Sequence, residues 1–410
     1  MPRAHATPLA ERILLLMLFV TLLTSSVAFI EPSPHDVLMG ALALTCVVAG
    51  VRFQRMLVVP LILMVIWNFA GAMALIPVVG QEKTIQYTGT SVYLAIAAIV
   101  FACLFSSNSM SRLTSMRIAY TLSAILAAFA GISGYFNLFP GADQLFAPFG
   151  RALGMFKDPN VFGPYLIWPT LFVGYRMLTR HIGITDLVVS AILLFALLLS
   201  FSRGAWFHFV VSSFVLVGLC FLTAPNQRVR LRIVALGALS LLALAGILAL
   251  LLSFDSIGEM FRERAQLIQS YDVGEGGRFR LQELALASVL NFPNGMGPFE
   301  FARVHGLQQH NVYLQAFLVY GWAGALAYVL LLVSTLWVGL RSAFVRTPWQ
   351  AYAITAYAAF VGEVAEGFVI DTDHWRHFFL LLGMIWGLAA ATFRPQAPTQ
   401  NAGWAAGVTH

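Results

Sequence analysis

The sequence predicts an all-α membrane protein, a polytopic bundle of about twelve transmembrane helices with one larger loop outside the bilayer. Three observations carry this reading. Of 410 residues, 59% are hydrophobic and only 10% are charged, whereas soluble domains carry roughly 25% charge. The mean hydropathy is +0.81. Apolar runs of bilayer length recur along the whole chain, with no soluble domain, internal repeat or low-complexity tract between them. That composition excludes a water-soluble enzyme, and its wealth of apolar and aromatic residues excludes a disordered or collagen-like chain. Residues 1–410 therefore read as a single integral membrane domain, with a polar tail at 395–410.

A hydrocarbon core takes about 20 apolar residues per helix, with a range of roughly 17–25. The first run, Ile13–Ile30, follows Arg12. The small residues at Ser25–Ala28 make a poor cleavage site, so this run reads as a retained span rather than a signal peptide. Val37–Val51 and Leu57–Ile76 flank Arg52 and Arg55, and Thr88–Phe105 and Ile118–Phe136 flank Arg112 and Arg117. Phe162–Tyr175 and Asp186–Phe201 enclose Arg176 and Arg180, while Ala205–Thr223 and Ile233–Phe254 enclose Arg228, Arg230 and Arg232. Beyond a long loop, Asp255 to His310, come Val312–Leu340, Ala351–Ile370 and Phe378–Phe393, with Arg341, Arg346 and Arg394 at their ends.

Loops alternate in charge along this series. With Arg3, the arginines just named account for 14 of the 24 Lys+Arg, in short loops almost free of acid. A basic bias in short loops marks the cytoplasmic side, which puts both termini in the cytoplasm. The remaining basic residues lie on the opposite side, many of them in the long loop and mixed with Asp and Glu. The net charge of +6 thus reflects topology, and no nucleic-acid partner is expected. Residues 255–310 become the main periplasmic loop, with smaller loops at 138–160 and 371–377, so the chemistry belongs at that outer membrane boundary. Cys46, Cys103 and Cys220 lie in apolar runs with neither metal nor disulfide spacing.

Four outer segments hold chemistry-bearing residues. Ser202-Arg203-Gly204-Ala205-Trp206 joins two spans with almost no loop, a re-entry expected to need Gly204, and it sets Arg203 at the surface. A guanidinium fork suits phosphate, although an arginine here could equally snorkel to lipid headgroups. In the long loop, glycines at 274, 276 and 277 deliver Arg278 and Arg280 ahead of a short surface helix, Leu281–Leu290. Its simpler alternative is a solvated loop held down by Phe279 and Phe292. His310, followed by Asn311, opens a span; it is either a general base or a helix-start residue. Asp371-Thr372-Asp373-His374-Trp375-Arg376-His377 offers two carboxylates for a metal, or for pairing with Arg376, which is the favoured reading. Glu363 and Glu366, three apart on one helical face inside a span, are expected to partner an arginine rather than relay protons. No nucleophile constellation for covalent catalysis stands out.

Taken in order, these segments resemble the O-antigen ligase and O-antigen polymerase superfamily of bacterial membrane glycosyltransferases. The resemblance rests on Ser202–Trp206, on Gly277-Arg278 leading to Pro293-Asn294-Gly295-Met296-Gly297, and on His310-Asn311-Val312-Tyr313-Leu314 followed by Tyr320-Gly321-Trp322-Ala323-Gly324. Gly154-Met155-Phe156-Lys157-Asp158-Pro159-Asn160-Val161-Phe162-Gly163 is similar to the family's Pro-Asn segment. The resemblance implies a GT-C-like bundle in the bacterial inner membrane. It implies transfer of a glycan from undecaprenyl pyrophosphate to an acceptor hydroxyl on the periplasmic face, with no metal and no cofactor. The acceptor is lipid A–core for a ligase, or a second lipid-linked glycan for an O-antigen or exopolysaccharide polymerase. By the same resemblance, Arg203 and Arg278 grip the pyrophosphate, His310 is catalytic, and Lys157, Asn160 and Asn311 contact substrate. Family members often carry a tryptophan a few residues after the loop arginine. Here Phe279, Arg280, Leu281 and Gln282 follow, which leaves Arg278 and Arg280 both open for that role. A lipid-linked-oligosaccharide flippase or transporter is the reading from another class, but no inverted repeat supports it.

Overall fold

The structure is a computed structural model in which residues 8–180, 182–264 and 277–394 are described. All regular secondary structure among them is helical. In chain order the helices are α1 (Pro8–Leu23), α2 (Pro34–Val48), α3 (Val58–Leu75), α4 (Thr84–Phe105), α5 (Ser109–Tyr135), α6 (Ala142–Phe146), α7 (Pro159–Tyr165), α8 (Ile167–Thr179) and α9 (Ile184–Leu199). They continue with α10 (Arg203–Thr223), α11 (Gln227–Leu251), α12 (Asp255–Arg264), α13 (Arg278–Asn291), α14 (Glu300–His305), α15 (Val312–Ala343), α16 (Gln350–Glu366) and α17 (Arg376–Thr392). The glycines at 274 and 276 and the tail at 395–410 lie outside the described residues.

Each of the twelve apolar runs falls on a helix, although Phe162–Tyr175 is divided between α7 and α8, with Pro164 inside α7 and the joint at Leu166. By length and composition, six helices among the described residues can cross a membrane: Arg55–Val78, Thr84–Phe105, Ser109–Tyr135, Arg203–Thr223, Gln227–Leu250 and Val312–Ala343. Pro34–Val48, Ile184–Leu199 and Arg376–Thr392 are apolar but shorter. At about 1.5 Å per residue they fall short of a ~30 Å hydrocarbon core unless their flanks help.

The starts of α2, α7, α10, α11 and α15 are closed by side chains, which matters where no water can satisfy a bare N–H. Ser33 and Asp36 form a capping box on α2, with Ser33 N donating to Asp36 Oδ2 at 2.8 Å and Asp36 N donating to Ser33 Oγ at 3.3 Å. Asn226 accepts from Val229 N at 3.0 Å, and Asp158, ahead of Pro159, accepts from Asn160 N at 2.8 Å.

The most extensive helix contacts are α3 with α15, α4 with α17, α10 with α16 and α1 with α5. Gly383 and Gly387, one turn apart, let α17 lie against α4: a Cβ at either position would stand 2.5 or 2.6 Å from the carbonyl oxygen of Ala98 or Ala102. Small residues at contacts are how helices pack when lipid removes the hydrophobic drive between them. Trp67 fills the centre, 5.2 Å from the Tyr320 ring and 5.0 Å from that of Tyr328. By contrast only 6% of the apolar window of α11 is buried. A helix apolar all round and this bare suits a lipid-facing position.

Short connections place alternate loops at opposite ends. At one end Arg112 grips Glu11 at 2.8 and 3.1 Å, and the Trp349 indole donates to Thr392 at 2.9 Å. At the other end the loops around residues 24–33, 76–83, 147–158, 200–202, 292–311 and 367–376 meet. All four segments singled out from the sequence reach this second end.

Candidate active site

Arg203 is the first residue of α10, and Ser202 is its N-cap, accepting from Ala205 N at 3.3 Å. The re-entry does not turn on Gly204, as the sequence reading expected. Phe201 carries the left-handed backbone, with φ of 45°. Gly204 is needed for a different reason: a Cβ there would lie 2.7 Å from Glu366 Oε1. Glu366 ends α16, and its Oε2 lies 2.9 Å from His208 Nδ1, one turn further along α10. His208 Nε2 in turn reaches the Ala359 carbonyl at 2.9 Å. This carboxylate therefore clamps the first turn of the helix that presents Arg203.

The Pro-Asn segment packs on the same corner. A Cβ on Gly163 would meet Ala205 Cβ at 2.5 Å, so the two motifs touch. Asn160 Oδ1 accepts from Ser202 Oγ at 2.9 Å and from Arg151 Nη2 at 3.0 Å, while Arg151 Nε donates to Ser200 O at 2.9 Å. Asn160 thus braces the re-entry. Lys157 points elsewhere, to Glu31 at 2.7 Å.

In the long loop, α13 starts at Arg278 after Gly277 as N-cap. Phe279 and Phe292 do not hold it down; both are exposed. Leu281, Ala285 and Val289 do so, packed with Met296, Phe301 and Leu318. This is a helical stripe at i, i+4 and i+8, which buries the face one turn at a time. Arg278 is half-buried, whereas Arg280 is exposed and pairs with Glu283, three residues on, at 2.6 Å. The two loop arginines are therefore not equivalent.

The Pro293–Gly297 turn docks into a break in α15. Gly321 has φ of 66° and ψ of −176° inside that helix. The Leu318 carbonyl takes Met296 N at 2.6 Å and Gly297 N at 3.3 Å, and Trp322 N donates to Pro293 O at 2.8 Å. Two of the sequence motifs thus exchange backbone hydrogen bonds. A Cβ on Gly321 would sit 2.6 Å from the Asn294 carbonyl carbon, so the interlock needs glycine.

His310 follows from this anchoring. It takes a left-handed φ of 49° just before α15. Asn311 is the N-cap, accepting from Tyr313 N at 3.0 Å and Leu314 N at 3.1 Å, and its Nδ2 donates to Phe368 O at 3.1 Å. Val312 N donates to Gly367 O at 2.9 Å. The imidazole is 46% exposed, with Nδ1 3.6 Å from Asp371 Oδ2. Burial pushes the Asp371 carboxyl above the usual carboxylate range; the His310 contact opposes this and nearby Asp373 adds to it. Sparsely populated backbone at a functional site is a recurrent way to aim a side chain.

Arg376 does not pair with Asp371 or Asp373. It forks onto Asp36 at 2.8 and 2.9 Å. Asp373 instead accepts from Tyr87 OH at 2.8 Å and Tyr320 OH at 3.3 Å, with His374 Nδ1 at 3.2 Å. Burial pushes Asp373 up as well, but the His374 charge and the bonds from His374 and Tyr87 outweigh it, leaving Asp373 below the usual range. Among the described residues, no three His, Cys, Asp or Glu side chains are grouped to hold a metal ion. Glu363 and Glu366 also depart from expectation. Glu366 bonds to His208, and Glu363 faces His377 at 3.2 Å; neither meets an arginine among the described residues.

The end of α16 is therefore the hub. Glu366 presses on Gly204 beside Arg203, and Gly367 and Phe368 hold Val312 and Asn311 beside His310. Sequence reading did not pair Asp371 with His310 or Glu366 with His208, and did not single out Arg151, because no local spacing links these groups.

These features define a multi-pass helical membrane protein whose sequence-marked arginine and histidine segments meet at one end of the bundle, as a candidate site. Residues 188–329, from within α9 to within α15, match the family model for O-antigen ligase, which supports the superfamily read from the motifs. The matched stretch contains Arg203, Arg278, Arg280, His310 and Asn311. That family points to a ligase- or polymerase-type, glycosyltransferase-like enzyme acting on lipid-linked glycans. No curated protein matches the chain.

Proposed function

We propose that the protein transfers a glycan from undecaprenyl pyrophosphate to an acceptor hydroxyl, as an O-antigen ligase-type enzyme. The observation that carries this reading is the convergence on the end of α16 of Arg203, at a helix N-terminus, and His310, backed by a carboxylate. In this reading the chain is a GT-C-like bundle of about twelve spans in the bacterial inner membrane, short helices included. Both termini, with the 395–410 tail, are cytoplasmic, and 255–310 is the main periplasmic loop.

As the sugar C1–O bond breaks, charge builds on the leaving pyrophosphate. Arg203 and Arg278 meet it, helped by the positive end of α10. Fixed donors of this kind are worth about 3–4 kcal/mol each. The acceptor oxygen attacks C1 from the opposite face, which inverts the anomeric centre. His310 Nε2 takes the hydroxyl proton while Nδ1, toward Asp371, shares the charge; such a base adds roughly 10²–10⁴-fold. Neither metal nor nucleotide sugar enters. Asn160 and Asn311 hold the two corners, with Lys157 at the rim.

The acceptor is lipid A–core in the ligase reading and a second lipid-linked repeat in the polymerase reading, and the family match is common to both. Glycans from cells with the gene intact, deleted, or carrying His310→Ala at equal protein level separate the two. Long undecaprenyl-linked chains left unattached in the deletion mark a ligase; single repeat units mark a polymerase. Unchanged glycans in the deletion, with no second gene copy, refute both.

A further inference from the structure

A cleft of about 700 Å³ opens beside the His310–Asp371 pair, walled by the N-terminal ends of α2 and α4, by Phe299 and by the 371–376 loop. We infer that this cleft is the acceptor subsite and that it binds the phosphate-free, hydroxyl-rich part of a glycan. The inference rests on the transfer reading above and names where its second substrate sits.

Charge separates the two substrates. Glu31, Asp36, Asp371 and Asp373 line the cleft, against Lys83 and Arg376. Arg376 is committed to Asp36, and Glu31 to Lys157. Asp373 is held by Tyr87, Tyr320 and His374, so what faces an occupant near His310 is the Asp371 carboxyl, which repels a pyrophosphate and accepts hydrogen bonds from hydroxyls. The donor headgroup therefore keeps to the Arg203 side, and the cleft is left for a ligand without phosphate.

The rest of the lining suits a sugar. Gln86 presents an exposed amide that both donates and accepts, as sugar hydroxyls do, while Tyr87, donating to Asp373 and accepting from Gln315 Nε2, makes the wall behind it. Phe299 is 37% exposed at the rim and stands edge-on to Tyr87, with ring centroids 5.2 Å apart. Its φ of 62° is a costly conformation for a non-glycine residue, and it keeps an apolar ring in the open where the C–H face of a pyranose can stack. Tyr87 in turn lies 4.0 Å from the His374 ring, so the platform is braced from behind. Asp371 belongs to both the cleft wall and the His310 pair. A hydroxyl offered from the cleft thus arrives beside the imidazole that takes its proton.

The test uses the full-length protein in detergent micelles with two probes: inorganic pyrophosphate, and the phosphate-free repeat-unit oligosaccharide released by mild acid from the host's polyprenyl-linked pool. Phe299→Ala should weaken oligosaccharide binding by about tenfold, the loss of one stacked ring, and leave pyrophosphate binding unchanged. Phe299→Tyr should restore the affinity, and Arg203→Ala should show the reverse pattern. Wild-type oligosaccharide binding in Phe299→Ala, or none in the wild type, overturns the cleft assignment; the transfer reading then stands as long as pyrophosphate binding depends on Arg203. Pyrophosphate binding indifferent to Arg203, with sugar binding still dependent on Phe299, refutes the donor half and keeps the cleft. Equal loss of both ligands in Phe299→Ala at an unchanged melting temperature counts against the cleft.

Discussion

Adding one methyl group at Gly204 tests whether the end of α16 controls the candidate site. In Gly204→Ala the new Cβ would stand 2.7 Å from Glu366 Oε1, where ordinary contact begins at 3.4 Å, so something must move by about 0.7 Å. Glu366 has little freedom to give way. It is fully buried and its other oxygen is held by His208 at 2.9 Å. The first turn of α10 yields instead, and Arg203 moves with it. Overpacking of this kind costs roughly 1–3 kcal/mol of stability. A misplacement approaching 1 Å in a positioning element can cost about 10²-fold in rate. The assay is glycan transfer in isolated membranes, with the melting temperature of the detergent-purified protein measured alongside. The expected result is a loss of ten- to a hundredfold in rate at a modest drop in melting temperature. Combining Gly204→Ala with Glu366→Ala should recover part of the rate, because the clash is gone, so the two effects should be strongly non-additive. Full activity in Gly204→Ala, or strict additivity in the double variant, would refute the clamp.

Three further outcomes follow from the same geometry. Arg278→Ala should lower transfer by about 10²–10³-fold, as for other lost donors to a developing anion, whereas Arg280→Ala removes only an exposed ion pair and should stay within about twofold; steady-state rates in membranes check both. Asp371→Asn and Asp373→Asn should move stability in opposite directions, read from melting curves across pH. The Asp371 carboxyl is raised in the fold, so its charged form costs stability as pH rises through the folded value, and Asn should stabilise above it while slowing transfer. Asp373 is lowered, so its contribution is present above the unfolded value and lost as pH falls through the folded one; Asn should destabilise at neutral pH, with the gap closing in acid. Gly321→Ala combines a left-handed φ with a clash against backbone and should cost about 3 kcal/mol or more; faster proteolysis within 277–299 would reveal the undocked turn.

Local patterns proved legible. The amphipathic stretch expected at Leu281–Leu290 is the helix Arg278–Asn291, and the apolar runs lie on helices. Ser202, Asn226 and Asn311 cap those helices through contacts two or three residues away, which is within reach of sequence reasoning. The family motifs also marked the end of the bundle where Arg203 and His310 gather. Other expectations failed for a common reason. Arg376 was expected to serve the acids in its own turn, yet its partner Asp36 lies 340 positions away. Glu363 and Glu366 were assigned an arginine because they share a helical face, but two histidines from α17 and α10 face them. Gly204 was read as a turn residue when its role is to leave room for a carboxylate from another helix.

Composition and the recurrence of apolar runs were enough to determine that this is a helical membrane protein, because the hydrocarbon core demands long apolar segments with their hydrogen bonds satisfied internally. Motif order was enough to point to the superfamily. Only the tertiary structure decided which ionisable groups pair: Asp371 with His310, Glu366 with His208 and Asp36 with Arg376. A helix records in its own sequence which face is apolar, since that face repeats every 3.6 residues. It carries no record of which neighbour that face will meet, and partner choice, and hence the wiring of the site, follows from how the helices pack.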